Sequence, residues 1–262
     1  MFHAPRGSIR KSLWMSLGGA AALMVGTSAS AQAAQATPGW KFEFVPYFWA
    51  PALKGDAKVL DGLVTRDVDI SSTSILKNLR WGLMGTLEAR NGPWGVVLDG
   101  QAVELGIGRQ SAYGLLGGYE VRFQEQIWTV AGKYRLYESP AAEVDLVGGA
   151  RYIGAKTSIT FDPSIYGLGR TVKAREGWWN GIVGASAKVP ITDKWSLLGY
   201  VDVGSGGSND TSWQALAGAS YQYSPTTSFK FGYRYLTFTR DQNKTLDEAS
   251  LGGVYLGAGF KF

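Results

Sequence analysis

Imidazoles, thiols and paired carboxylates carry most hydrolytic and metal chemistry, and this sequence offers few of them. The chain of 262 residues has no Cys and a single His, His3. Beyond residue 3, Ser-His-Asp and Cys-His nucleophilic sites and His-containing metal sites are excluded. A carboxylate pair such as Glu88 and Asp99 could do general acid–base work of the glycosidase kind. The stronger reading is mutual neutralisation. Glu43, Glu88, Asp99, Asp145 and Asp202 are interspersed with Arg90, Arg122, Lys133, Arg135, Arg151, Lys188 and Arg234. Opposite charges that share a narrow interior pair with one another, because an unpaired buried charge costs several kcal/mol. The glycine runs 114–118 and 204–207 lack the lysine of a phosphate loop. Asp61, Asp67 and Asp69 read as solvated loop charge rather than a calcium site. No cofactor and no metal is expected.

The elements that position these charges repeat along the chain. Segments of about ten residues or more alternate apolar and polar side chains, a strand signature. Ten such segments span 40–50, 80–91, 94–106, 119–137, 141–158, 178–190, 194–204, 213–224, 227–239 and 250–262. In 194–204, Trp195, Leu197, Val201 and Val203 oppose Ser196, Tyr200 and Asp202. In 227–239, Phe229, Phe231, Tyr233 and Tyr235 oppose Lys230, Gly232 and Arg234. The charges fall on the polar face, at strand centres. Around residues 128–130 the alternation slips, which predicts a β-bulge.

Connectors alternate in length. Those near 91–93, 139–141, 192–193 and 224–226 are short, and those near 51–79, 107–118, 159–177, 205–212 and 240–249 are long. Short turns on one side and long loops on the other are the pattern of a transmembrane β-barrel. Trp40, Trp94 and Trp195 open segments on the short-turn side, and Trp81, Trp178, Trp179 and Trp213 on the long-loop side. Aromatics at both ends of strands fit two membrane interfaces. The expected fold is therefore all-β: an antiparallel up-and-down barrel of about ten strands, with eight and twelve as alternatives. Within the first long loop, Asp61-Gly62 marks a hairpin turn. Residues 72–79 then suit a short helix, and this loop is a candidate partner-binding surface.

Residues 1–36 are set apart from the barrel, 37–262. Arg6, Arg10 and Lys11 precede an uncharged apolar run, 13–25, and a series of small residues ending in Ala34-Gln35-Ala36. This is the layout of a secretory signal peptide. Lys and Arg number 26 against 21 Asp and Glu. Three of the basic residues leave with the signal and no acidic one does, so the mature excess falls to two. No nucleic-acid partner is implied.

The final residues resemble a known signal. Tyr255, Gly257, Phe260 and Phe262, in the stretch Tyr255-Leu256-Gly257-Ala258-Gly259-Phe260-Lys261-Phe262, resemble the C-terminal signature of bacterial outer-membrane β-barrels. The whole mature chain looks like the class that includes outer-membrane proteins A and W. The resemblance implies a place in the outer membrane of the Gram-negative cell envelope, outer-membrane lipid as surroundings, and insertion by the barrel assembly machinery. Barrel enzymes of similar architecture rely on a catalytic His that this chain lacks. The expected function is non-enzymatic: a barrel with a charge-filled narrow lumen that serves membrane integrity or surface interaction. A narrow, porin-like channel for ions or small solutes is the alternative. A lipid-modifying or hydrolytic barrel enzyme ranks last.

Overall fold

Ten strands of alternating polarity cannot bury their apolar faces against one another if their polar faces already meet inside. The computed structural model resolves this by turning the sheet inside out. It describes residues 39–59, 64–109, 118–162, 169–207, 210–240 and 246–262. The proposed signal peptide lies outside the described residues, as do Asp61 and the hairpin turn at 61–62.

The strands are β1 (Trp40–Val59), β2 (Val64–Ile70), β3 (Leu79–Asn91), β4 (Trp94–Arg109), β5 (Tyr119–Glu138) and β6 (Glu143–Phe161). They continue with β7 (Arg170–Pro190), β8 (Trp195–Ser205), β9 (Thr211–Gln222), β10 (Thr227–Thr239) and β11 (Leu246–Lys261). Every pairing is antiparallel between neighbours, and β11 returns to β1 with Phe44 opposite Phe260 and Trp49 opposite Tyr255. Ten strands close the barrel. β2 is an additional strand, paired with the upper part of β1 from Leu53–Ile70 to Val59–Val64. A one-and-a-half-turn helix, α1 (Ser72–Lys77), follows, with Ser71 as its N-cap accepting from the Ser74 amide.

Closure is a requirement rather than a preference. In hydrocarbon no water pairs with a free strand edge, so each backbone group needs a partner within the sheet. One seam departs from this. β1 pairs with β3 over Trp40–Pro46 and with β2 only from Leu53. Between these ladders the Trp49 amide donates to the Met84 thioether, at 3.3 Å. Pro46 and Pro51 bracket the interval, and proline brings no amide to a ladder.

The pleat assigns each side chain to one face. Leu83, Val130, Trp179, Val183, Val201, Val203, Tyr233, Val254 and Leu256 are all at least half exposed or nearly so. A soluble protein does not leave such a continuous apolar surface in water. In β8 the outward apolar run is Trp195–Val203, and in β11 it is Val254–Phe262. Runs of about nine residues, tilted as barrel strands are, match the hydrocarbon thickness.

The strands reach further on the long-loop side than the alternation indicates. β4, β6 and β7 run on to Arg109, Phe161 and back to Arg170. The β5 register with β4 and β6 is unbroken from Tyr119 to Arg135, so there is no bulge at 128–130. The irregularity in β5 falls instead between Arg135 and Tyr137. The change in pattern at Trp128 has another cause: the outer face turns from apolar to polar there while the pleat continues.

Tight curvature needs small inward residues. Gly218 and Gly232 face each other across β9 and β10. A Cβ at Gly232 would run into the Ala217 carbonyl, and one at Gly218 into that of Phe231. Gly232→Val is therefore expected to destabilise the barrel by about 3 kcal/mol. The check is the folded fraction after refolding into lipid vesicles, read as heat-modifiable electrophoretic mobility. Equal yields of variant and parent would contradict the packing argument.

Candidate functional site

The interior is layered. Toward the short-turn end, β3, β5 and β6 bring a linked set of charges together. Glu88 meets Lys133 at 2.9 Å and Arg90 at 3.0 Å. Asp145 meets Arg90 at 2.7 Å, Lys133 at 3.2 Å and Arg135 at 2.5 Å. Arg135 extends to Glu143 at 3.0 Å and Glu138 at 3.2 Å. Lys188 stands at the rim, 3.9 Å from Glu143. Across the barrel, Lys230 holds Glu43 at 2.8 Å.

A second polar layer lies above. Arg151 and Asp202 form a bidentate pair with both side chains fully buried, and Arg151 Nε also donates to Thr129 at 3.3 Å. Arg234 donates to Asp99 at 3.1 Å, to the Gln214 amide oxygen at 2.8 Å and to the Tyr47 hydroxyl at 2.9 Å. Its guanidinium sits 4.9 Å from the Trp49 ring, a cation–π arrangement. The planar fork of arginine suits this many-partner geometry where lysine would not.

An apolar layer caps the charges. Tyr47, Trp49, Ile127, Ile153, Trp178, Leu236, Phe238, Leu251 and Tyr255 form one buried cluster from six strands. Trp178 and Phe238 meet edge to face at 5.2 Å. Arg240 lies over Trp178 at 4.1 Å and bonds Glu176 at 2.9 Å. Among the described residues the lumen retains a cavity of about 190 Å³ between the layers, touched by Glu88, Asp99, Lys133, Arg151, Arg234 and Tyr255.

The structure thus brings together eleven of the twelve charges picked from the sequence. The exception is Arg122. It shares a face with Trp128 and lies opposite Gly106 and Ser158, on the outer wall above the apolar band. There it bonds Glu120 at 2.9 Å, and Arg80 bonds the same carboxylate. The hydrogen bond from Arg122 holds the Glu120 carboxyl below the usual carboxylate range. Among the tryptophans, Trp81, Trp94, Trp179, Trp195 and Trp213 are exposed on the outer wall, and Trp40 stacks with Phe42 beside Phe262. Trp178 is corrected: it is buried in the lumen, because adjacent strand residues take opposite faces. Tyr255 and Gly257 point inward, while Phe260 and Phe262 are exposed on the outer wall.

Sequence reasoning missed several interior groups. Gln101 donates to Glu125, Asn180 to Ser212, and Trp49 and Arg240 are buried. Counting in twos along the chain from Asp99, Thr129, Arg234, Glu43 and Lys188 reaches Gln101, Glu125, Arg240, Trp49 and Asn180. Asp67 belongs to the residues whose side chains are not described, and Asp69 pairs with Lys54 at an exposed 3.9 Å. Among the described residues no cluster of metal-ligating side chains occurs.

Arg151 and Asp202 give a direct energetic test. Asp202→Leu leaves a buried guanidinium unpaired and is expected to cost about 3–5 kcal/mol. The double variant Arg151→Met, Asp202→Leu should recover most of that loss. Urea unfolding in vesicles, followed by tryptophan fluorescence, measures both. A single variant as stable as the parent would contradict the pairing.

No family model and no curated protein matches the sequence. Solved structures do. Outer-membrane protease OmpT of Escherichia coli aligns at TM-score 0.53 and 10% identity, over 86% of this chain and 98% of that one. The translocator domain of autotransporter NalP of Neisseria meningitidis aligns at 0.38 and 14%, over 87% and 90%. Ail, the attachment invasion locus protein of Yersinia pestis, aligns at 0.35 and 15%, over 86% and 100%. The last two scores carry no argument. At 10% identity the first speaks for the fold alone: the chain has the architecture of a small outer-membrane β-barrel.

Proposed function

We infer that this protein is a non-enzymatic barrel of the bacterial outer membrane whose lumen is a structural plug and whose work is done at the membrane surface. One observation carries the reading. The ion-paired layers and the aromatic layer stack across the same lumen, so a solute meets salt bridges and then packed rings. Ten strands leave an interior only slightly wider than side chains fill. The carboxylates Glu88 and Asp99, the pair that acid–base chemistry would use, are engaged by Lys133, Arg90, Arg234 and Thr86. With His3 as the single histidine, the histidine-dependent barrel chemistries lack their base.

The signal-peptide layout of 1–36 supports export, and Tyr255, Gly257, Phe260 and Phe262 on the closing strand supply the feature that the assembly machinery would read. Phe260 and Phe262 are presented outward, where such a machine can reach them. The cavity among Glu88, Asp99, Lys133 and Arg234 favours a second reading, a narrow ion path.

Planar-bilayer recording on refolded residues 37–262 separates the two. The plugged barrel predicts no discrete steps, with insertion shown in the same sample. Trp178→Ala with Phe238→Ala removes the edge-to-face ring pair and is expected to give measurable current. Reproducible steps from the parent, with selectivity altered by charge reversal at Arg90 or Asp99, would replace the plug with a channel.

A further inference from the structure

The outer wall above the apolar band is not plain solvent-facing strand. The unbroken ladders of β4 to β7 put Arg122, Ser158 and Lys173 in one row and Gln124, Lys156 and Arg175 in the row below it. Trp128 and Trp179 lie on the same face, lower still, and both are exposed. Tyr152 stacks on Trp179 at 5.3 Å, and its ring lies across Gly154 and Gly177, where any Cβ would collide with the Tyr152 hydroxyl. The two glycines thus let an aromatic hydroxyl reach the lower edge of the basic rows.

These rows form a groove of about 320 Å³ lined by Arg122, Lys156 and Lys173, with Glu120, Gln124 and three hydroxyl side chains between them, and Arg175 flanks it as the cross-strand partner of Lys156. The local acids are already engaged. Glu120 is taken by Arg80 and Arg122, and Glu104 by Gln124, Trp81 and Arg80. Lys156, Lys173 and Arg175 are exposed and have no carboxylate partner among the described residues. Three free cations, hydroxyl donors and a tyrosine stand immediately above an aromatic belt. Aromatic belts sit at headgroup level, so the nearest anion is a lipid phosphate.

We propose that the outer face of β5–β7 is a lipid-phosphate site: Lys156, Lys173 and Arg175 clamp the phosphate of an anionic headgroup in the leaflet on the long-loop side, while Trp128, Tyr152 and Trp179 hold its acyl-glycerol or acyl-sugar base. Arginine and lysine differ usefully here. Arg175 supplies a planar fork for two phosphate oxygens and the lysines supply point charges. The site rests on the reading of the chain as a membrane barrel, so the test separates the two.

The mature protein is refolded into vesicles carrying brominated lipid, and quenching of tryptophan fluorescence is measured. Quenching by brominated phosphatidylcholine reports the lipid-facing belt and tests the membrane reading alone. Brominated phosphatidic acid, at equal total bromine, then tests the site. The expected preference for phosphatidic acid is at least about tenfold, as three interfacial cations suggest. The charge-neutral variant Lys156→Gln, Lys173→Gln, Arg175→Gln should abolish it and keep the phosphatidylcholine signal, which also shows that the variant has folded. Lys194→Gln, on a short turn at the opposite end, should leave it intact. Absence of a preference, or a preference that survives the triple variant, overturns the site. Complete competition by millimolar inorganic phosphate would assign it to free phosphate and overturn the lipid source.

Discussion

A strand edge cannot be left open in hydrocarbon, and the rest of this structure depends on that constraint. The ladder from Glu43–Lys261 to Ala57–Leu246 joins the last strand to the first and removes the edges. Once the sheet is closed, the pleat permits two environments only, inside and outside. In the proposed membrane setting, lipid takes one and the lumen the other. The sequence answers with apolar side chains on the outer face and polar side chains within, the inverse of a soluble core.

The inside then has its own difficulty. Arginines and carboxylates in a narrow lumen are costly unless each has partners. Most of them have more than one. Asp145 serves three cations and Arg234 bonds an acid, an amide and a phenol. A group with several partners keeps some of them when one moves, which suits a plug better than a relay. The aromatic layer above adds dispersion and excludes water, which strengthens the pairs beneath it. In the plugged-barrel reading, stability and closure of the lumen therefore come from the same contacts.

Much of this was legible in the chain. In β8 and β10 each residue reports its environment, because the outer face is apolar and the inner face polar along nearly the whole strand. Alternation alone puts Asp202 and Arg234 inward and Trp195 and Tyr233 outward, as the structure has them. The misplacements have one physical origin. Polarity tells inside from outside only at membrane depth. Above it the outer wall is polar as well, so Arg122 looked like a lumen charge and the unbroken pleat at Trp128 looked like a bulge. Trp178 shows the converse: a tryptophan at a strand end reads as a belt residue, although its neighbour Trp179 already fills the outward position. The pairing of Arg151 with Asp202 spans strands that are not adjacent, and no local pattern carries that information. Arg240, buried, sits where a long loop is expected, because the inward alternation of β10 carries on one residue past the end of the strand; Trp49, also buried, lies within the expected strand 40–50.

The inside-out arrangement is most directly tested by accessibility along single strands. The chain has no cysteine, so one introduced thiol carries one nitroxide label. Labels at 195, 197, 201 and 203 should collide with oxygen dissolved in lipid and not with a water-soluble nickel chelate, while labels at 196 and 202 should be shielded from both. On β5 the outward labels should change from oxygen-accessible at 128 and 130 to chelate-accessible at 122 and 124, with no break in the two-residue period. Equal chelate access on both faces, or loss of the period at 128–130, would contradict the account.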